Sequence, residues 1–136
     1  MMFTHTKIVS VQELRLSLNT MRQETEYEMI GAEKGIQLTL YAFRYSDGEK
    51  QRIMKKTVSC DQETVLALLN DCRILSWNGF HGKHPYGVSD GTVFRFSASV
   101  NDGLYIKAEG SQNFPKHFQA LQQGLWSLLQ DTTDIS

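Results

Sequence analysis

The chain has 136 residues, of which 40% are hydrophobic, and 14 Lys and Arg against 15 Asp and Glu give it a net charge of −1. This length fits one domain that buries a core without a metal or a disulfide, so we expect a single domain over residues 1–136 with frayed ends at 1–6 and 131–136. The balanced charge excludes the global field of a nucleic-acid or lipid-surface protein, and the composition excludes disordered, collagen-like and membrane-spanning classes.

Four strands are predicted in the first half of the chain, because apolar and polar residues alternate there. They cover about 13–19, 24–32, 36–45 and 50–58. Turn residues at 33–35 and 46–49 predict hairpins that join the second, third and fourth strands. One face of these strands is then an apolar core face made of Tyr27, Met29, Leu38, Leu40, Ala42 and Ile53.

The same turns set the register on the other face of these strands. Folding the chain at the turns places Thr39 between Glu28 and Lys56, and places Tyr41 between Glu26 and Met54. Glutamates and basic residues therefore flank the third strand, and opposite charges across a sheet stabilise it by a few tenths of a kcal/mol per pair. We expect this face to be charged and wet.

A helix and a hairpin are predicted next. The helix runs from an Asp61 N-cap to about Leu75, with apolar residues recurring at i, i+3, i+4 and i+7. Strands over about 92–100 and 104–109 pair through a turn at 101–103. This turn sets Arg95 opposite Glu109 and Ser97 opposite Lys107.

The last predicted element is a helix that begins at Phe114 or Pro115 and runs to about Gln130, with Ser111 or Asn113 as its candidate cap. The element order is then β-β-β-β-α-β-β-α. Hairpin connections imply an antiparallel sheet, and two helices with one apolar stripe each imply one covered face. We therefore predict an α+β two-layer sandwich, with a mostly antiparallel sheet and two helices on one face.

Residues 77–91 form the most unusual segment, rich in glycine and aromatic residues. Loops on a rigid scaffold often carry function, and the candidate ligand-binding residues here are Trp77, Phe80, His81, His84, Tyr86 and Asp90. Three interpretations stay open. The loop is pinned by aromatic packing beneath it, or its rings stack on a sugar or flat ligand, or His81, His84 and Asp90 bind zinc. The first is favoured, and no metal, cofactor or catalytic residue is assigned, because a second ligand pair with zinc spacing is missing.

Glu24, Glu26 and Glu28 project from one face of the second predicted strand. Carboxylates at i and i+2 lie about 7 Å apart, a spacing found in glycosidase acid pairs. That chemistry needs a cleft and one raised pKa, and a flat wet sheet face supplies neither. We therefore expect these three side chains to be solvated ladder charges.

The fourth predicted strand is basic, and the third carries aromatic residues beside it. Cations interleaved with rings can bind single-stranded nucleic acid, but the facing glutamates cancel the field, and lysines also guard an edge strand against pairing. No nucleic-acid partner is expected. Tyr41, Phe43 and Met54 on the outer face instead indicate a surface for a homodimer.

The two cysteines, Cys60 and Cys72, lack CxxC spacing, and Cys72 lies on the apolar stripe of the first predicted helix. We expect free thiols, of which the buried Cys72 is a poor nucleophile. No signal-peptide pattern and no apolar stretch long enough to span a bilayer occurs in the sequence. No membrane partner is expected, and a cytoplasmic location is the default expectation.

Residues 61–130 carry a recurring pattern: an amphipathic helix, Trp77-Asn78-Gly79-Phe80, Asp90-Gly91, Phe94, and Gly110-Ser111-Gln112-Asn113-Phe114-Pro115. The pattern W-x-G-F … D-G … G-S-x-x-F-P resembles a family of small bacterial α+β domains without an assigned reaction. The resemblance implies a fold and no catalytic role. Turn and capping chemistry accounts for the same residues, so the pattern indicates architecture.

The sequence therefore predicts a small non-enzymatic binding or interaction domain that uses a sheet face or the 77–91 loop. Its partner is an unknown protein or a small ligand. No GxSxG, P-loop, GxGxxG or HExxH motif is present. The alternative hypothesis is a ligand- or metal-binding site on the 77–91 loop, with hydrolysis as its candidate activity. Convergence of His81, His84 and Asp90, or a deep pocket beside Trp77, would favour that alternative.

Overall fold

A computed structural model describes residues 7–21, 23–83 and 91–131. Within these ranges, seven strands form one sheet in the order β4-β3-β2-β1-β6-β7-β5, and two helices cover one of its faces. The strands are β1 (Val11–Asn19), β2 (Glu24–Ala32), β3 (Gly35–Ser46), β4 (Glu49–Cys60), β5 (His81–Gly82), β6 (Val93–Val100) and β7 (Leu104–Ser111), and the helices are α1 (Gln62–Asp71) and α2 (Phe118–Asp131). All pairings are antiparallel except that of β5 with β7. The predicted α+β sandwich is confirmed.

The predicted strand register holds for the first hairpin and for the part of the second hairpin near its turn, where Tyr41 lies opposite Met54. Glu28 lies opposite Thr39, as the turn at 33–35 requires. The predicted pairing of Thr39 with Lys56 is wrong, because Thr39 lies opposite Thr57. Lys55 is an extra residue on β4, so a bulge shifts the register by one position. Turn arithmetic assumes regular ladders and cannot detect such an insertion.

The hydrophobic core lies between the sheet and the two helices. Its largest fully buried side chains come from every layer: Trp77, Phe94, Phe96, Ile8, Leu14, Leu16, Met29, Leu38, Leu69, Ile74, Ile106 and Leu121. Three members of the predicted core face, Tyr27, Met29 and Leu38, are buried, and the other three are half-buried near the end of the β3–β4 hairpin. α2 buries Phe118, Leu121, Leu125 and Leu129, which places Leu129 at the centre of the apolar stripe.

The first helix begins where the sequence predicts and ends earlier. Asp61 is the N-cap, and its carboxylate accepts a hydrogen bond from the Thr64 amide at 3.2 Å. The helix ends at Asp71 and not at Leu75, because Arg73 takes a left-handed conformation with φ 54°. A 3₁₀ turn over Ile74–Trp77 follows and redirects the chain towards β7.

The second helix begins later than predicted. It starts at Phe118, and neither Ser111 nor Asn113 caps it. The chain between Pro115 and Phe118 forms a turn in which His117 has a φ of 68°. A left-handed residue at that position interrupts helical geometry, although Pro115 would suit a first turn. Neither helix of the described chain is both long and apolar enough to cross a membrane.

Candidate functional site

Trp77 is a core residue. Its side chain is 1% exposed, and its ring packs edge-on against Phe96 with centroids 5.0 Å apart and tilts against Phe118 at 5.9 Å. The indole Nε1–H donates to the Lys116 carbonyl oxygen at 3.0 Å. Because the indole is almost fully buried and its N–H is already bonded, the ring presents no surface to a ligand in this structure.

The segment that follows Trp77 is bound to the edge strand β7. The Gly79 amide donates to the Lys107 carbonyl at 2.8 Å, and the Glu109 amide donates to the Phe80 carbonyl at 3.1 Å. Phe80 is half-buried, with its ring centroid 6.1 Å from that of Phe94. These contacts fit the interpretation in which aromatic packing holds the start of the loop.

His81 lies on β5 and is exposed. Its Nδ1 is 3.3 Å from Glu109 Oε2, directly opposite in the sheet. His84, Tyr86 and Asp90 lie outside the described residues, so the zinc and stacking hypotheses that need them stay predictions. Among the residues that are described, no three His, Cys, Asp or Glu side chains come together as a metal site would require.

The uncovered face of the sheet, here called the open face, carries a buried charge network. Glu26 and Glu28 are each 9% exposed, so the expectation that they are solvated is wrong. Arg52 covers them, with Nη2 at 2.6 Å from Glu26 Oε1 and 3.3 Å from Glu28 Oε2. Arg15 Nη2 lies 3.1 Å from Glu28 Oε2 on the other side. Long arginine side chains from neighbouring strands therefore shield these carboxylates without any helix above them.

The aromatic residues of the open face are also covered by cations. The Arg52 guanidinium lies 3.5 Å from the centroid of the Tyr41 ring, and the Lys50 ammonium lies 4.5 Å from that of Phe43. Met54 remains exposed. The predicted dimer surface is thus less apolar than its residue types indicate, and a homodimer through it stays a prediction.

A cationic cleft lies on the other half of the open face, around Ser97 of β6. Arg15 of β1 and Lys107 of β7 lie opposite Ser97, and Arg95 precedes it by two residues on the same face. The space among them is about 350 Å³ and is also lined by Ser17. We call it the Ser97 cleft. Small serines in the middle of three long basic side chains leave this space unfilled.

Two of the cations in the Ser97 cleft make no ion pair with any described residue. Neither the Arg95 guanidinium nor the Lys107 ammonium has an ion-pair partner in the part of the chain that the structure describes. Glu109 lies opposite Arg95, as predicted, but pairs with His81 instead. Glu26 and Glu109 also line the cleft, and each already contacts another basic side chain, Arg52 or His81. The cleft therefore holds three cations, of which Arg95 and Lys107 make no ion pair within the described chain.

Sequence reasoning missed the Ser97 cleft although it placed the residues correctly. The predicted hairpin sets Ser97 opposite Lys107, and the structure confirms that pair. The neighbour across β1 was not predicted, because Arg15 reaches β6 through a long connection that no turn signal specifies. The adjacency of β1 and β6 is what brings Arg15 to the other two cations.

The two cysteines are free and buried, as expected. Burial raises the pKa of the Cys72 thiol, and the neighbouring Asp71 carboxylate raises it further. A thiol that stays protonated is a weak nucleophile. Cys72 therefore contributes packing and not reactivity.

No family model, no curated protein and no solved structure matches the chain. The resemblance carried by Trp77-Asn78-Gly79-Phe80 and Gly110-Ser111-Gln112-Asn113-Phe114-Pro115 therefore stays a prediction. Any functional proposal has to come from the geometry described above.

Proposed function

We propose that this chain is a non-enzymatic binding domain that holds a small organic anion, carrying a carboxylate or a phosphate group, in the Ser97 cleft. One observation carries the proposal. Arg95 and Lys107 lie side by side at a cleft of about 350 Å³ and have no ion-pair partner among the described residues. Binding an anion there would neutralise both cations.

The side chains around the cleft suit oxyanion recognition. Arg95 offers a planar fork of N–H donors that matches two oxygens of a carboxylate or phosphate, and Lys107 adds a mobile point charge. The hydroxyls of Ser17 and Ser97 can donate to further oxygens. Arg15 uses Nε on Glu13 and Nη2 on Glu28, so it is held in place with one nitrogen still free for a ligand.

The same surroundings favour binding over catalysis. The carboxylate of Glu26 is already bound by Arg52, with Oε1 2.6 Å from Nη2, so it is not available to act on a ligand. His81 and Glu109 form the nearest acid–base pair, and both side chains are largely exposed, with 66% and 43% of their surface accessible. Acid–base catalysis usually depends on groups shielded from water. We therefore propose a ligand-holding role.

The location proposed for the domain is the cytoplasm. Cys60 and Cys72 are buried and form no disulfide. Cysteines that stay reduced are typical of proteins in a reducing compartment. This support is independent of the cleft.

Titration of the protein with inorganic phosphate and with citrate, followed by NMR, tests the proposal. We expect the amide resonances of Ser97 and Lys107 to shift with both anions and the binding to weaken with added salt. Arg95→Gln and Lys107→Gln should each lower the affinity about tenfold or more, since each removes a charge-assisted hydrogen bond. Lys34→Gln, in the β2–β3 turn, is the matched control for loss of one positive charge and should leave the affinity unchanged.

Two results would contradict the proposal. Shifts that spread over all lysines and arginines would indicate general ion screening. Equal affinities of the Arg95→Gln and Lys34→Gln variants would show that the cleft does not hold the anion. A single saturable site lost only in the cleft variants supports it.

A further inference from the structure

The helix α2 has an exposed face without charge. The thirteen residues Phe118–Gln130 include no Lys, Arg, Asp or Glu. Its exposed positions are Gln119, Ala120, Gln123, Trp126, Ser127 and Gln130. The outer face of a surface helix usually carries charged residues, so an amide-rich face with an exposed indole is unusual.

Most of these side chains line one groove. Gln119, Gln122, Gln123, Trp126 and Ser127 recur at i, i+3, i+4, i+7 and i+8, a single stripe on a helix. Together with Tyr27 of β2 they surround a space of about 670 Å³, here called the α2 groove. A second space of about 610 Å³ shares Gln119 and Gln122 with it and continues towards Phe114 and His117. The two spaces therefore adjoin each other along α2.

Tyr27 supplies an unused hydrogen-bonding group at the floor of the α2 groove. Its side chain is only 6% exposed, and its hydroxyl has no hydrogen-bond partner among the described residues. Tyr27 itself lines the groove. A nearly buried phenol in the wall of a cavity is placed to hydrogen-bond a ligand.

Trp126 supplies the stacking surface. It is 51% exposed, in contrast to the buried Trp77, and its indole N–H makes no hydrogen bond to any described residue. An exposed indole offers a flat apolar face and one donor at its edge. The glutamine side chains beside it each offer one acceptor and two donor hydrogens.

We propose that the α2 groove binds a neutral carbohydrate chain. Sugar rings present apolar C–H faces that stack on an indole and hydroxyl groups that pair with amides and a phenol. The lining has no cation to attract an acid and no carboxylate to attract a base. The groove lies on the helix-covered side of the sheet, so this binding is separate from the anion proposed for the Ser97 cleft.

The test uses four uncharged hexasaccharides, built from β-glucose, α-glucose, xylose and N-acetylglucosamine, each titrated to millimolar concentration. The two tryptophans give an internal comparison, because only Trp126 faces the groove. At least one hexasaccharide should shift the indole N–H resonance of Trp126 and leave that of Trp77 in place.

Variants then assign the binding to the groove. Tyr27→Phe keeps the ring and removes the hydroxyl, so affinity should fall about three- to tenfold. Trp126→Ala should lower it about tenfold or more, because the stacking surface is lost. Gln130→Ala is the matched control: it changes an exposed residue of the same helix outside the groove and should have no effect. Thermal unfolding of each variant confirms that the fold is kept.

The proposal is overturned if none of the four hexasaccharides shifts the Trp126 indole resonance. It is also overturned if binding is unchanged in both Tyr27→Phe and Trp126→Ala. A Trp126 resonance that shifts with protein concentration alone would assign the groove to contact with a second copy of the chain, and would likewise overturn it.

Discussion

The two faces of the sheet are covered in different ways. On the helix-covered face, apolar side chains of α1 and α2 close the core. On the open face no helix is present in the described chain, yet Glu26 and Glu28 are each only 9% exposed. Arg52 achieves this by lying across the Tyr41 ring and reaching both carboxylates. A solvent-facing sheet therefore does not imply solvent-exposed side chains.

The difference between the faces extends to the clefts that they form. The Ser97 cleft on the open face is cationic and polar, and the α2 groove on the other side is uncharged with an exposed indole. Electrostatic attraction dominates at the first and is screened by salt, and stacking with neutral hydrogen bonds dominates at the second. This difference in lining is why we propose an anion for the Ser97 cleft and a neutral carbohydrate for the α2 groove.

The largest expected effect is that of a substitution in the core, on the helix-covered face of the sheet. Trp77→Ala should lower the free energy of unfolding by about 3–5 kcal/mol, because it removes a fully buried indole that packs against Phe96 and Phe118. The lost hydrogen bond also leaves the Lys116 carbonyl without its donor. Urea unfolding followed by circular dichroism measures the change.

Trp126→Ala is the matched control on the same unfolding measurement. Its ring is 51% exposed, so we expect a loss below about 1 kcal/mol. Similar losses for the two variants would show that the exposed indole belongs to the core, and would remove the contrast on which the α2 groove depends.

A smaller effect is expected on the open face. Arg52→Gln leaves Glu26 and Glu28 with fewer partners, which destabilises the fold. The Arg52 side chain is 39% exposed, so solvent screening limits the loss to about 1–2 kcal/mol, below that of a fully buried pair. Unfolding at low and at high salt measures it, and the loss should shrink as salt rises.

Lys50→Gln is the control for the Arg52 variant. It breaks one ion pair, 2.7 Å from Glu24, at the more exposed end of the same strand. We expect a loss of about 0.5 kcal/mol or less. If Lys50→Gln costs as much as Arg52→Gln, the buried carboxylates contribute no more than ordinary surface charges.

The strands could be predicted because their alternation reflects the two different faces. β2 begins at Glu24 and ends at Ala32 as predicted, since Tyr and Met on one side and Glu on the other leave one possible register. The pairing of Arg95 with Glu109 follows from the three-residue turn at 101–103 in the same way. The residues that determine such a pairing all belong to one hairpin, so they are close together in the sequence.

Features that depend on the rest of the fold could not be predicted. Arg73 and His117 adopt left-handed conformations that usually favour glycine. The sequence therefore has no local signal for the end of α1 or for the start of α2. β5 has two residues, too few for any periodicity, and follows a segment in which Gly79 and Phe80 hydrogen-bond to β7. The predicted site residue Trp77 is buried, and Trp126 of α2 is exposed. Hydrophobicity alone does not tell which tryptophan of a chain is covered.

The smallest expected effect concerns Tyr27, which is buried in the core and lines the α2 groove. Burial raises the pKa of the Tyr27 phenol, because its ionised form would lose solvation. Above about pH 10 the unfolded chain then releases this proton more readily than the folded chain, so stability falls as the pH rises, by less than about 1 kcal/mol at pH 10.5. The loss should be smaller in Tyr27→Phe than in Tyr45→Phe, whose ring is exposed, and the part that remains comes from the Cys72 thiol, whose raised pKa also lowers stability above about pH 9. A Tyr27→Phe variant with the same alkaline loss would place the phenol in contact with bulk water.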